Sequence, residues 1–480
     1  MRTYRELFGA PEFTPLFLSS SLHVAASTVS GLALGVLVYG ATGSPLLAAL
    51  SMFGQALAQV VGATVLMSAA DRVPPRAALV GLAALFAVGT AVQAVPGMPV
   101  WALFVVLFVM GAAASLGGGV RYGLLNEILA REGYLLGRSV MNMVTGLMQV
   151  AGYAVGGVLI TVMSPRGTLL LGAGLYLGSA VVTRFGLSER APRVAGRASV
   201  TETWRTNRLL WSSRPRRYTY LALWVPNGLV VGCEALFVPY DPERAGLLFA
   251  FAALGMFIGD TVAGRFLPRR WRARLDSPLR LLLAVPYVVF LFGPPLALAV
   301  VAVTLASVGF ASTLLLQERL MALTPEELSG QALGLHGAGM MTAQGLAAGL
   351  AGAVAQWTSP SVAIGVMAAM SVAVTVALAP GLRSPVDAEP AGDPSWGVAG
   401  EAESAREAGS GGGGGSGTEG VESGGRQGAE REGAVSGSAE REARRGRPRR
   451  TAPGGVHERA VSGGREDAGT SAGGGGGADG

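Results

Sequence analysis

Long apolar runs separated by short polar stretches extend to about residue 383. Several, such as 77–96 and 99–120, carry no ionisable side chain. A helix needs about 20 such residues to cross a hydrocarbon core of about 30 Å. The pattern predicts twelve transmembrane helices, at 16–40, 45–69, 77–96, 99–123, 139–163, 167–187, 218–240, 246–266, 279–293, 295–316, 331–357 and 360–380.

The arginines predict the orientation of these helices. With the N-terminus in the cytoplasm, 24 arginines fall in or beside cytoplasmic loops, and only Arg166 and Arg244 fall outside. Cytoplasmic loops of membrane proteins are enriched in basic residues. We therefore expect a multi-pass protein of the cell membrane with both termini in the cytoplasm. The pI of about 9.8 follows from these loops and gives no reason to expect nucleic acid as a partner.

An internal repeat predicts two related halves. The residues Arg72 to Arg76 match Arg265 to Arg269, and Ser164-Pro165 matches Ser359-Pro360, at offsets of 193 and 195. Transporter halves often repeat in this way. The predicted organisation is a six-helix bundle at 1–186, a basic cytoplasmic linker at 187–217, a second six-helix bundle at 218–383 and a tail at 384–480.

The tail differs completely in composition, being rich in Gly, Ser, Glu and Arg. Such a segment buries too little apolar surface to offset its ordering entropy, so we predict disorder. Its basic cluster at 444–450 is either simply solvated or in contact with anionic lipid.

The loop after the second helix carries a recognisable motif. Residues 67–76 read Met-Ser-Ala-Ala-Asp-Arg-Val-Pro-Pro-Arg. This resembles the Gly-x-x-x-Asp-Arg-x-Gly-Arg-Arg loop of the major facilitator superfamily, and it departs at Met67, Pro74 and Pro75. Residues 259–270 resemble the second-half counterpart. Residues 318–330 resemble a loop of the drug, macrolide and siderophore exporters in that superfamily.

This resemblance covers about residues 4–383 and implies an all-α integral membrane fold of two pseudo-symmetric six-helix bundles. It also implies a monomer in which the bundles rock about a central cavity lined by helices one, four, seven and ten. The two cytoplasmic gate loops would contain Asp71, Arg72, Arg76, Asp260, Arg265 and Arg269.

Polar residues within the spans are the candidates for transport. His23, Ser27 and Ser30 form a stripe on the first helix, and Asn227 and Glu234 share a face of the seventh. We expect the two stripes to meet across the cavity. Glu234 is the best candidate for proton coupling, because burial would favour its protonated form; the alternative is a carboxylate that reaches the outer headgroups.

The other ionisable groups in the spans are weaker candidates for proton coupling or substrate binding. His23 could relay protons or serve helix packing alone. Arg121 is expected near the cytoplasmic surface, too far out to bind an organic anion in the cavity.

The sequence therefore predicts a secondary transporter that exports a small hydrophobic or amphiphilic compound in exchange for protons, with membrane lipids as its surroundings. Import of a small metabolite, or a sensor or scaffold that no longer transports, are the alternatives. An enzyme is not expected, because His23, His336 and His457 are widely separated and lack metal-ligand spacing. We expect no cofactor and no metal. A single cysteine, Cys233, rules out an internal disulfide.

Overall fold

The computed structural model describes most of the chain before residue 384. The described residues are 4–70, 73–129, 131–191, 200–266, 268–325 and 328–383, apart from the side chains of 4, 64–70, 131, 132, 135, 200–203 and 269–273. The tail, for which we predicted disorder, lies outside them.

Within this part every regular element is helical. Eleven stretches are long and apolar enough to cross a membrane. One of them, Leu136–Gly186, is interrupted at Ser164 and makes two crossings, so the predicted twelve spans are confirmed. Helices suit these sequences because a spanning segment must satisfy its backbone groups internally in lipid.

The spans are α1 (Phe13–Thr42), α2 (Pro45–Ala70), α3 (Pro75–Gln93), α4 (Val100–Ile128), α5 (131–163), α6 (165–186), α7 (Arg214–Glu234), α8 (Ala245–Thr261), α9 (Arg269–Leu282), α10 (Leu296–Val308), α11 (Ser329–Trp357) and α12 (Pro360–Leu382). Four of them continue into further turns: Phe237–Tyr240 after α7, the π-helix Val262–Phe266 after α8, the 3₁₀ helix Val285–Phe292 after α9, and Gly309–Ala311 with Ser312–Ala322 after α10. A short helix, Tyr4–Phe8, precedes α1.

Ser-Pro pairs begin the last helix of each half. Ser164 has a left-handed backbone (φ 75°), and Pro165 then starts α6. Ser359 caps α12 by accepting a hydrogen bond from the backbone N–H of Val362 at 3.3 Å, with Pro360 at the first helical position. Proline suits that position because its missing N–H would be unsatisfied there anyway. The two pairs thus occupy equivalent places in the two halves.

The two halves contact each other closely at one end of the bundle. We call the end where α1 begins and α12 finishes the terminus side, and the opposite end the far side. On the far side, a Cβ on Gly157 of α5 would lie only 3.0 Å from the Cα of Gly246 of α8. Nearby, the Ser44 hydroxyl donates a hydrogen bond to Oε1 of Gln356 at 3.0 Å. These contacts close the far side.

A helix in the linker, Val200–Ser212, was not predicted from the sequence. It docks on the second half, where the Trp211 ring stacks on Trp224 with centroids 5.5 Å apart. Gln331 of α11 also donates a hydrogen bond to the side chain of Asn207 at 2.9 Å. The linker helix is therefore part of the second bundle's terminus side.

The start of the linker is attached to the first half instead. Arg190 donates to the Glu12 carboxylate at 2.7 Å and lies 3.6 Å from Glu127 at the end of α4. Ser188 donates to the other Glu12 oxygen at 2.5 Å. Burial raises the pKa of Glu12, but the hydrogen bonds from Ser188 and Arg190 and the Arg190 charge outweigh it and leave that pKa below its usual value.

Candidate functional site

A cavity of about 470 Å³ lies in the terminus-side part of the first half. All six helices of this half contribute to it, and α11 of the second half adds one side chain. The lining residues are Ser19, His23, Ser27, Phe53, Gln55, Ala56, Gln59, Leu79, Leu82, Ala83, Phe86, Ala114, Gly117, Gly118, Arg121, Gln149, Ser179, Thr183 and Met341. This volume is in the range of small-molecule sites.

The lining combines polar amides with an apolar wall. Gln55, Gln59 and Gln149 supply side-chain amides, each able to donate and accept hydrogen bonds. The apolar wall includes Phe53 and Phe86. A compound with both a polar and an apolar part is therefore complementary to this surface.

Two glycines of α4 keep the cavity open. Gly117 and Gly118 both line it, and a Cβ added to Gly118 would meet nothing within 4 Å. Gly119 also has open space around it but does not line the cavity. A large side chain at Gly118 would therefore project into space that a ligand could use.

His23 lies against two aromatic rings. Its ring packs edge-on to Phe86 and Tyr176, with centroids 5.3 and 5.2 Å apart. These contacts fix the ring while it still lines the cavity. His23 therefore packs between helices and also lines the cavity, and its role in proton relay stays a prediction.

Arg121 lies elsewhere than predicted from the sequence. It lines the cavity, because α4 continues to Ile128 and so places Arg121 about two turns inside the helix end. Arg121 forms no hydrogen bond or ion pair with any residue that the structure describes. No carboxylate is among the described residues that line the cavity. Among the described residues of the site, none neutralises the charge of Arg121.

The polar stripe on α7 is not part of this cavity. Asn227 accepts a hydrogen bond from Nε2 of Gln344 at 3.1 Å and is buried. Glu234 lies further towards the far side, is 8% exposed, and has one carboxyl oxygen, Oε1, without a hydrogen-bond partner among the described residues. Of the predicted candidates, the structure brings His23 and Ser27 together but keeps Asn227 and Glu234 apart from them.

Only part of the predicted gate loops can be placed. Asp71 and Arg72 lie outside the described residues, and Arg269 begins α9 with its side chain undescribed. Arg76 is half-buried in the first turn of α3, and Asp260 is exposed at the end of α8. Arg265 lies in the π-helix that follows. Their role in a gate remains a prediction.

Comparison with known proteins identifies the family. The sequence profile of the Major Facilitator Superfamily matches residues 16–317, which is more than half of the chain. The chain belongs to the Major Facilitator Superfamily. The resemblance seen in the loop motif is thereby confirmed. Among curated proteins, a sequence comparison finds no match.

Solved structures of this superfamily share the fold at low sequence identity. Peptide transporter POT in complex with sulfate has a TM-score of 0.62 and 14% identity, over 79% of this chain and 98% of that one. Nucleoside transporter NupG has a TM-score of 0.63 and 15% identity, over 78% and 100%. A bacterial homologue of the human lysosomal transporter Spinster, inward-facing and unoccupied, has a TM-score of 0.56 and 15% identity, over 78% and 93%. The protein is thus a multi-pass membrane protein with the transporter fold of the Major Facilitator Superfamily.

Proposed function

We propose that this protein is a secondary transporter that exports a small amphiphilic compound in exchange for protons, by alternating access. The observation that carries the proposal is a cavity with mixed polar and apolar lining on the terminus side of a bundle whose far side is closed. A cavity closed from one side is what alternating access requires of each of its end states.

The arginines support export as the direction. Their concentration in the loops on the terminus side favours a cytoplasmic location for that side. The cavity then faces the cytoplasm in this conformation and can take up a compound from inside the cell. Apolar side chains such as Phe53 and Leu82 suit a compound that also dissolves in the inner leaflet.

Glu234 remains our candidate for proton coupling, although it lies outside the cavity. Glu234 lies three residues before Phe237, whose ring packs on Phe249 at 4.9 Å between centroids. Phe249 in turn stacks on Tyr153 of α5 in the first half at 4.7 Å. Glu234 therefore lies near the region where the halves meet, towards the closed far side. A buried carboxylate without a partner is costly. Separation of the halves would expose the carboxyl to water and let it release a proton.

One observation favours a second candidate function, the import of a small anionic metabolite. Arg121 supplies the cationic group that such a substrate needs, and its position corrects the expectation that it lies too near the surface. Import and export differ in the sign of the change in accumulation, so one assay separates them.

The test is accumulation of a panel of dyes and antibiotics in a bacterial strain lacking its main efflux pumps. We expect the wild-type protein to lower accumulation of at least one compound, and an uncoupler to abolish this effect. Glu234→Gln should also abolish it, whereas Glu243→Gln, in an exposed far-side loop, should not. Membrane levels of each variant are matched first.

Each contrary outcome has a definite meaning. An effect that survives the uncoupler contradicts proton coupling. An active Glu234→Gln variant shows that another group carries the proton. Accumulation raised above that of cells without the protein supports import.

A further inference from the structure

We infer that the substrate carries an anionic group, such as a carboxylate or sulfonate, and that Arg121 binds this group. The inference rests on the proposed function and deepens it by naming the substrate class. It begins from a charge imbalance: His23 and Arg121 are the ionisable side chains of the cavity, and no described lining residue is acidic.

An arginine inside a membrane protein ordinarily pairs with an acid or a backbone carbonyl. Arg121 does neither among the described residues. A guanidinium keeps its charge and binds carboxylates through two parallel hydrogen bonds. The described part of the site thus offers Arg121 no anionic partner, and a ligand that enters the cavity can supply one.

The surroundings of Arg121 define the rest of the ligand. One turn before Arg121, Gly117 and Gly118 leave room for a bound group beside the guanidinium. The Phe86 ring, held by His23 and Tyr176, provides an aromatic wall in the same cavity. The complementary ligand is an amphiphile with one anionic end and an apolar, preferably aromatic, body.

The membrane potential makes this charge suitable for export. The cell interior is negative, so the membrane potential drives anions outwards and protons inwards. Export of a monoanion in exchange for an inward proton moves both charges in their favoured directions. An anionic substrate therefore increases the driving force of the proposed exchange.

The experiment uses the full chain in nanodiscs of phosphatidylcholine, with matched acid and amide probes. The pairs are benzoate and benzamide, 1-naphthaleneacetate and 1-naphthaleneacetamide, and octanoate and octanamide. Binding is measured from the rise in melting temperature with probe concentration. We expect at least one acid to bind on the order of 10- to 100-fold more tightly than its amide.

Variants of Arg121 test whether this residue causes the preference for the acid over the amide. Arg121→Met should bind the acid and the amide of that pair equally, and Arg121→Lys should keep part of the preference. Arg184→Gln, an exposed arginine at the end of α6, should keep all of it. Gly118→Phe should abolish binding of both compounds.

The contrary results are distinguishable. If acid and amide bind equally and Gly118→Phe abolishes both, the anion inference is wrong and the cavity remains the substrate site. If no acid or amide binds, the inference and the cavity as substrate site both fail. If acid binding is lost in nanodiscs of phosphatidylglycerol, a lipid phosphate is the anion, and the assignment to a diffusible substrate is overturned.

Discussion

Replacing Gly246 with alanine should shift the protein away from the conformation that is closed on its far side. A Cβ at this position would lie 2.5 Å from the Cα of Gly157 and 3.0 Å from the carbonyl oxygen of Tyr153. Both atoms belong to the backbone of α5, so no side chain can rotate to relieve the clash. The two halves must therefore separate there.

The size of the effect follows from this geometry. Ordinary contacts of a Cβ begin at 3.4 Å, so α5 and α8 must separate by roughly 1 Å. Overpacking of this kind costs about 1–3 kcal/mol, which is about a 5- to 150-fold change in a conformational equilibrium. A far-side-open state populated at about 1% would rise to between about 5% and 60%.

The assay is a distance distribution between spin labels on opposite halves of the far side, at Val95→Cys and Glu243→Cys. Both sites are exposed, and Cys233 is buried and should not react. The account predicts a new population at longer distance in Gly246→Ala. The control is Gly174→Ala, because a Cβ at Gly174 meets nothing within 4 Å. If folded Gly246→Ala gives the wild-type distribution, closure of the far side does not depend on this contact.

Two further predictions concern the linker. Glu12→Gln should lower stability by about 1 kcal/mol at neutral pH. Folding lowers the pKa of Glu12, so its contribution to stability is complete above about pH 4.5 and is lost as the pH falls through the folded pKa. The melting temperatures of wild type and Glu12→Gln should therefore converge in acid. The control variant Glu243→Gln should melt close to wild type throughout this pH range. Trp211→Ala should remove the stacking on Trp224, worth about 1 kcal/mol, and speed tryptic cleavage of the linker helix. Trp204→Ala, which removes a ring that is 70% exposed, should leave cleavage unchanged.

The transmembrane helices could be predicted because each is a long apolar run. In lipid such a run must satisfy its backbone hydrogen bonds internally, which a helix does. The turn at Gly293 was also predictable, since Gly-Pro-Pro interrupts the run and the structure gives Gly293 a φ of 59°. The linker helix Val200–Ser212 has no such signal. It is short and polar, and its place depends on the stacking of Trp211 on a distant part of the chain.

The site was predicted only in part, for reasons of helix length and helix neighbours. The fourth helix was predicted to end at residue 123, which places Arg121 near the cytoplasmic surface, although Leu124 and Leu125 continue the helix and are buried. That extension of five residues, at about 1.5 Å each, moves Arg121 about 7.5 Å further from the helix end. The spacing of Asn227 and Glu234 correctly places them on one helix face, but it cannot show that other helices cover that face.

The most direct test of the central claim, that this cavity is the path of transport, compares two adjacent glycines of α4. Gly118 lines the cavity and Gly119 does not, while a Cβ on either meets nothing within 4 Å. Accumulation of the compound panel would be measured in pump-deficient cells producing wild type, Gly118→Phe or Gly119→Phe at equal membrane levels. The account predicts that wild type and Gly119→Phe lower accumulation equally. Cells producing Gly118→Phe should accumulate as much compound as cells without the protein. Full activity of Gly118→Phe would contradict the account.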